Sequence, residues 1–360
     1  MSLSLPSTRD EAWRWADLSA LPALAEAQAP GGVIDTSSLW IGGGGPRLLF
    51  VDGVFDPGLS DPGPIMLGAV GIATDHALGR LACGEGWTLS LGVDHATAGT
   101  IEIVHVATGG ANHVPARIAL EEDAQASIVE TFAGDGWANR LTQIRLGRAA
   151  RLMRSVRLIQ SSGFTSLRDE ADVAQGASLV TTVLGAGAAG TRIDAAVTMS
   201  GPGAFAEVGG ALLCRGEQRH EAAIVLRHAA TDGTSRQMWR AVADDQAAAS
   251  IAARVEVARD AQKTDGEQSL RGLLLKRAAA INLKPELEIF ADDVKCAHGA
   301  TVGELSKPAL FYLASRGVPP AQARALLTSA FVADALDRIG EEKVRDAFRA
   351  DAEAWLEGTG

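Results

Sequence analysis

A chain of 360 residues with 47% hydrophobic and 21% charged side chains has ample material for a folded core. Its net charge of −11, with no Lys/Arg run longer than two, argues against a nucleic-acid or anionic-membrane partner. The cysteines Cys83, Cys214 and Cys296 lie far apart and exclude a disulfide framework, which fits reduced thiols and a cytoplasmic location. The N-terminus lacks the basic and apolar stretches of a signal peptide, and no apolar run approaches the ~18 residues of a membrane span.

In chain order, Ser7 and Thr8 are placed to cap a first helix carrying Glu11, Trp13, Trp15 and Leu18. A second short helix fits Leu21–Ala27 and is stopped by the Ala29–Gly32 segment. Gly42–Gly45 reads as a loop, and "RLLFVDGVF" as a small hairpin turning at Asp52-Gly53. From about Ala96 to Gly303 the texture is β: short apolar-alternating segments start at Thr100, Ser127, Leu141, Ser178, Thr191, Glu221 and Ala253. In the clearest of them Ile193, Ala195, Val197 and Met199 share one face, and Arg192, Asp194 and Thr198 the other.

Helix signals are sparse over this stretch, and Ala and Gly occupy many apolar positions. That pattern favours a parallel β-helix over a sandwich or barrel, although no strict repeat is visible in the letters. After Gly303 the chain reads as helix. Ser306 caps a segment through Pro308, Leu310, Phe311 and Leu313, which Gly317 closes. Pro319 and Pro320 open a longer helix with Ala323, Leu326, Leu327, Ala330, Phe331, Ala335 and Ile339 at spacings of three and four. The last helix places Val344, Phe348, Ala352 and Trp355 on one stripe. Three regions result: a mixed N-terminal part (1–95), a β core (96–303) and a helical C-terminal part (304–360).

Few motifs advertise chemistry. Gly185–Gly190 fits G-x-G-x-x-G, but a strand follows where a dinucleotide site needs a helix, so it reads as a tight turn. The absence of any Gly-Lys step excludes a P-loop, so ATP would have to be bound by another chain. His95, His105 and His113 are close in sequence without a metal spacing.

Cys296 and His298 are more informative. In "DVKCAH" the alternation puts Val294, Cys296 and His298 on one side and Asp293 and Lys295 on the other. Donors at i and i+2 lie roughly 6–7 Å apart, within chelating reach, but zinc or an iron–sulfur cluster takes about four ligands. Taken alone, the pair fits a buried Cys beside a hydrogen-bonded His. Its place on the last strand before the helices adds something: a terminal solenoid coil has an unpaired edge, where a related chain could contribute the missing ligands.

The segment Leu283–Ile339 closely resembles the C-terminal signature of the SufB/SufD family of iron–sulfur assembly proteins, its SufD branch above all. The matching elements are P-x-L-E-I at Pro285–Ile289, D-V-x-C-x-H-G-A-T-V-G at Asp293–Gly303, F-Y-L-x-S-R-G at Phe311–Gly317 and the following A-x-x-L-L helix. Ala261–Leu275, Asp10–Leu21 and "FVDGVFDPGLSD" fit as well. Departures fall at Glu217–Glu221 and near Ile251, away from the donor pair. The resemblance implies a right-handed parallel β-helix between helical ends and a non-enzymatic scaffold. It implies pairing with a SufB-like subunit through the β-helix end, with a homodimer as the alternative in isolation, and docking of a SufC-like ATPase on the C-terminal helices. For that docking Leu327, Phe331 and Ala335 form a candidate stripe, which packing against the β body would equally explain. The implied cargo is a transient iron–sulfur cluster shared with SufB, His298 and Cys296 aligning with its candidate ligands; a reduced flavin in the complex is left open. The rival from another class is a stand-alone β-helix enzyme of the polysaccharide lyase or hydrolase type.

Overall fold

The structure, a computed structural model, describes residues 4–31 and 35–358. A strand with one apolar face must bury that face, and here the chain does so by winding on itself. In chain order the strands are β1 (Gly44–Val51), β2 (Val54–Phe55), β3 (Ile65–Val70), β4 (Gly84–Leu91), β5 (Ala96–Leu120), β6 (Gln125–Leu146), β7 (Arg151–Leu158), β8 (Phe164–Val173) and β9 (Ser178–Gly185). They continue as β10 (Gly190–Met199), β11 (Phe205–Cys214), β12 (Arg219–His228), β13 (Thr234–Ala243), β14 (Ala248–Val257), β15 (Asp265–Leu274), β16 (Ala280–Ile289) and β17 (Lys295–Glu304). The helices are α1 (Leu21–Glu26), α2 (Lys307–Ser315), α3 (Pro320–Leu336) and α4 (Glu342–Glu357).

From β7 onward each strand pairs in parallel with the strand two places before or after it. Two walls result: β8, β10, β12, β14 and β16 on one side, and β7, β9, β11, β13, β15 and β17 on the other. The long strands β5 and β6 bend from one wall to the other. The whole is the expected parallel β-solenoid, of about eight turns. Strand structure starts before Ala96, because β1 and β4 already pair in parallel with β5.

The inward phase is apolar and small. Ile193, Ala195, Val197 and Met199 join Leu212, Ala222, Ile224, Leu226, Trp239 and Ala241 in one continuous core between the walls. The repeat lies in the backbone. Asp94, Asp123, Ala149, Gly176, Gly203, Asp232 and Lys263 all adopt positive φ, once per coil. Each donates its N–H to a carbonyl one coil further on, from Asp94 to Glu122 through Lys263 to Asp293. Left-handed turns favour Gly, Asn and Asp without requiring them, so the letters differ while the shape recurs.

The N-terminal end is closed by the chain itself. β1 and β2 form the expected hairpin, with Asp52 and Gly53 both at positive φ as a two-residue turn requires. The Asp52 carboxylate accepts from the Thr108 backbone N–H and hydroxyl, both at 2.7 Å. β3 turns antiparallel along β4. In the Gly42–Gly45 segment, the N–H groups of Ile41, Gly42 and Gly43 donate to the buried Glu102 carboxylate at 2.6, 2.9 and 2.7 Å.

Two expectations are corrected. The helix from Ser7 to Leu18 is a single 3-10 turn, Glu11–Trp13, with no side-chain cap. Burial wins over local propensity here: Trp13, Ala16 and Leu18 dock with Leu21, Leu78, Trp137 and Phe164 on the flank, and Trp13 lies over the Arg192 guanidinium at 4.3 Å. Arg192 and Asp194, expected on a polar face, are buried under this strap, where Arg192 pairs with Asp194 and Glu221. The Ala29–Gly32 stop lies partly outside the described residues.

The second correction concerns α3. Ser306 accepts from the Ala309 N–H as a cap and Gly317 sits at φ 81, so α2 ends as read. After that, α3 and α4 lie along the outer face of the second wall. Val332, Leu336, Ile339, Val344, Phe348, Ala352 and Trp355 bury against Val129, Leu184, Leu213 and Val242. Ala335 is 1% exposed, and Phe331 packs beside this cluster with the Arg240 guanidinium 5.9 Å from its ring. Ala335 is therefore not free to meet a partner, because a helix laid on a sheet must bury its small-residue stripe. The large apolar side chains that α2 and α3 leave most exposed to solvent are Phe311, Tyr312 and Leu326.

Candidate functional site at the terminal coil

The last coil is formed by β16 and β17, each paired on one side only. Register fixes which side chains look into the solenoid. On β17, Cys296, His298, Ala300 and Val302 stand opposite Gly266, Gln268, Leu270 and Gly272 of β15, all four buried. On β16, Ile281, Leu283, Pro285, Leu287 and Ile289 stand opposite the buried Ala249, Ile251, Ala253, Val255 and Val257 of β14. These are core-facing positions with no coil above them. Val302 is 44% exposed and Ile289 38%. The helices do not close this end, since α3 and α4 run back along the flank; α4 is tied there by the Arg157–Asp351 ion pair.

Cys296 and His298 thus share the core-facing phase of an uncovered coil. Cys296 is half-buried beside Val255, Val257, Ala261 and Val294, and His298 is exposed. Burial raises the Cys296 thiol, a hydrogen bond with the Gly266 backbone lowers it, and Asp265 raises it again, leaving it above its ordinary value. A thiol in that state gives up its proton on meeting a metal rather than beforehand. Gly266 lies directly under the thiol: a Cβ there would be in ordinary contact, at 3.5 Å, with both the Cys296 Sγ and the Ser235 Oγ. Below, Ser235 and His228 are hydrogen-bonded at 2.8 Å. Among the described residues no three His, Cys, Asp or Glu gather where a metal could sit, so Cys296 and His298 stand there as two donors without a third.

The other sequence candidates fall elsewhere. Leu327, Phe331 and Ala335 lie on the flank with α3. His95 bonds the Val93 carbonyl in a turn, and His113 meets Asn139 and the edge of Trp137. His105 is sealed in the core, stacked between Phe50 and Phe132. The Gly185–Gly190 segment is the turn between β9 and β10, and Gly187 is required because a Cβ would lie 2.2 Å from the Gln160 carbonyl of the coil before.

Beneath His298 the structure places a residue that sequence reasoning missed. Gln268 is buried in register with it, and Gln237 lies one coil deeper. Only the strand register reveals this column, because the three residues are about thirty positions apart in the chain.

Fold and site together define a class: a parallel β-solenoid with an uncovered end at which a cysteine and a histidine share the core-facing phase. The pattern described as "SUF system FeS cluster assembly, SufBD core domain" matches residues 104–331, well over half of the chain. The chain belongs to the SufBD family, among the proteins of iron–sulfur cluster assembly. It is 33% identical over 245 residues to "Protein ABCI7, chloroplastic" of Arabidopsis thaliana, a match covering 64% of this chain and 50% of that protein. It is 28% identical over 392 residues to the "Iron-sulfur cluster assembly SufBD family protein slr0076" of Synechocystis, covering 94% and 84%. Against the "Iron-sulfur cluster assembly protein SufD" of Escherichia coli it is 39% identical over 111 residues, 31% of this chain and 26% of that one. The matched region thus spans half or less of two of these three relatives. Among the described residues no helix is long and apolar enough to cross a membrane.

Proposed function

We propose that this chain is a non-enzymatic, SufD-like scaffold of the cytoplasm that becomes competent only when its open end is covered by a SufB-like solenoid. The observation that carries this reading is the terminal coil itself. Of the core-facing apolar residues Ile281 and Leu283 are only half-buried and Ile289 and Val302 are exposed, and Cys296 and His298 stand among them. Covering that surface removes apolar area from water at roughly 25 cal/mol per Å². The same contact sets a second chain's donors beside Cys296 and His298. The nascent iron–sulfur cluster is the cargo, held between chains and released. ATP is bound by a SufC-like partner, which docks on the C-terminal helices through the exposed Phe311, Tyr312 and Leu326 rather than through Ala335.

The test uses the complex co-expressed with SufB-like and SufC-like chains. His298→Ala is expected to leave folding and complex size unchanged and to abolish cluster build-up, read as the loss of visible iron–sulfur absorption. Full cluster formation in that variant removes His298 from the mechanism. Catalytic turnover by the purified chain alone would replace the scaffold reading with an enzymatic one.

A further inference from the structure

The column under His298 has a defect that the imidazole is placed to repair. Gln237 of β13, Gln268 of β15 and His298 of β17 are in register on the core-facing phase of three successive parallel strands. Gln268 donates through Nε2 to the Ala253 carbonyl at 2.8 Å, and Gln237 through Nε2 to the Arg254 carbonyl at 3.0 Å. Those bonds orient each amide, because a flipped side chain would set oxygen against oxygen. The Oε1 of each glutamine is buried and has no donor among the described residues, the His298 ring included. A buried carbonyl-type oxygen without a donor costs about 1–3 kcal/mol. Adjacent strands lie about 4.8 Å apart, so the next side chain along the column is within reach. For Gln268 that neighbour is His298, which carries a ring N–H.

We propose that Gln268 is a positioning residue for His298. Once the exposed ring turns onto it, its Oε1 accepts the Nδ1–H, holding the neutral imidazole in the tautomer whose Nε2 lone pair points out of the open end. This deepens the function proposed above and rests on His298 being a ligand there. A metal-binding histidine needs its second nitrogen tied to an acceptor, which settles both the tautomer and the ring orientation. Lying one coil below the surface, Gln268 supplies that acceptor from within the chain, before any partner arrives.

The experiment is two-bond 15N–1H NMR of the histidine-labelled full chain at about pH 8.5, where an unperturbed imidazole is neutral. The His298 signals are identified by their absence in His298→Ala. The wild-type chain is expected to show Nδ1–H, and Gln268→Met to show Nε2–H. Gln268→Glu, which loses the same bond to Ala253 but keeps an oxygen under the ring, is expected to restore Nδ1–H. Gln237→Met, the same change one coil deeper, is expected to leave His298 as in wild type. In the assembled complex Gln268→Met should weaken cluster retention about ten- to a hundredfold, with recovery in Gln268→Glu. A wild-type His298 protonated on Nε2, or a tautomer unmoved in Gln268→Met, overturns the proposal whatever cluster assembly does. If Gln268→Met does not fold, the wild-type tautomer alone decides. Undiminished cluster in His298→Ala overturns the ligand reading instead, and leaves the tautomer result standing.

Discussion

At its N-terminal end the solenoid spends its own chain on closure, whereas at its C-terminal end it stops with core residues in the open. The first coils are covered by the β1–β2 hairpin and the antiparallel β3, with Phe50 and Phe55 in tilted contact at 5.8 Å and Ile65 buried beside them. The space beneath is filled and charged. Glu130 pairs with Arg154 at 2.7 Å, Arg154 also pairs with Asp169, and the Arg140 guanidinium lies 5.3 Å from the Phe132 ring. At the last coil the same inward positions hold Leu283, Leu287, Cys296, His298 and Val302 with nothing above them. An uncovered strand edge is a liability that proteins usually blunt, and this chain shows the means to do so at its other end. The difference is what supports the proposal that another chain covers the C-terminal end.

The comparison can be broken most directly in the buried charge cluster. Arg154→Met leaves Asp169 unpaired and Glu130 with only His105 in the core, and should destabilise the isolated chain by about 3–5 kcal/mol, read from urea unfolding. A loss below about 1 kcal/mol would show that the N-terminal end is not the sealed one. Phe132→Ala should destabilise by a similar ~3–5 kcal/mol by opening a cavity, whereas Leu283→Ala at the open end should cost about 1 kcal/mol, since little packing is lost there. Equal losses would remove the contrast.

Acid should act on the sealed core next. Burial, aided by Arg140, lowers His105 to about 3 and His113 to about 4, and burial lowers His220 and His228 to about 4. Each is below the ordinary 6.5, so the unfolded chain binds more protons. Stability is therefore full above about pH 6.5 and falls as the pH drops toward 4 and then 3. Burial pushes Glu130 up, but Arg154 and His105 outweigh it and hold the carboxylate at about 2, which adds a loss below pH 4.5. Asp169, Glu207 and Glu221, each raised by burial, oppose this. The expected outcome is a decline on the order of a few kcal/mol between pH 7 and 4 in urea midpoints; a flat profile contradicts it. The smallest effect on stability belongs to the open end. Val302→Lys should change unfolding by no more than about 0.5 kcal/mol and yet abolish association with the SufB-like chain on sizing. Retained association would place the mating surface elsewhere.

Several features were legible in the letters. Asp52-Gly53 announces its hairpin, Ser306 its cap, and the alternation through Ile193 and Met199 its buried face. "DVKCAH" places two donors on one side of a final strand. Other features were not. The repeat escapes a reading of letters because Ala149 and Lys263 hold the same positive-φ turn as Gly176 and Asp232. The strap at Trp13 was mistaken for a helix because its apolar residues answer to the solenoid flank rather than to one another. The α3 stripe could not be assigned until its other side was known.

By itself the sequence determined the class of wall, the Asp52-Gly53 hairpin turn, the donor pair at the last strand and the family signature, because these depend on neighbours within a few residues. The tertiary structure decided that Ala335 is buried and Phe311 is not, that the helices brace the flank and leave the end uncovered, and that Gln268 lies under His298. Those outcomes depend on which residues, distant in the chain, occupy adjacent coils, and parallel register is a property of the stacked backbone rather than of any short run of side chains.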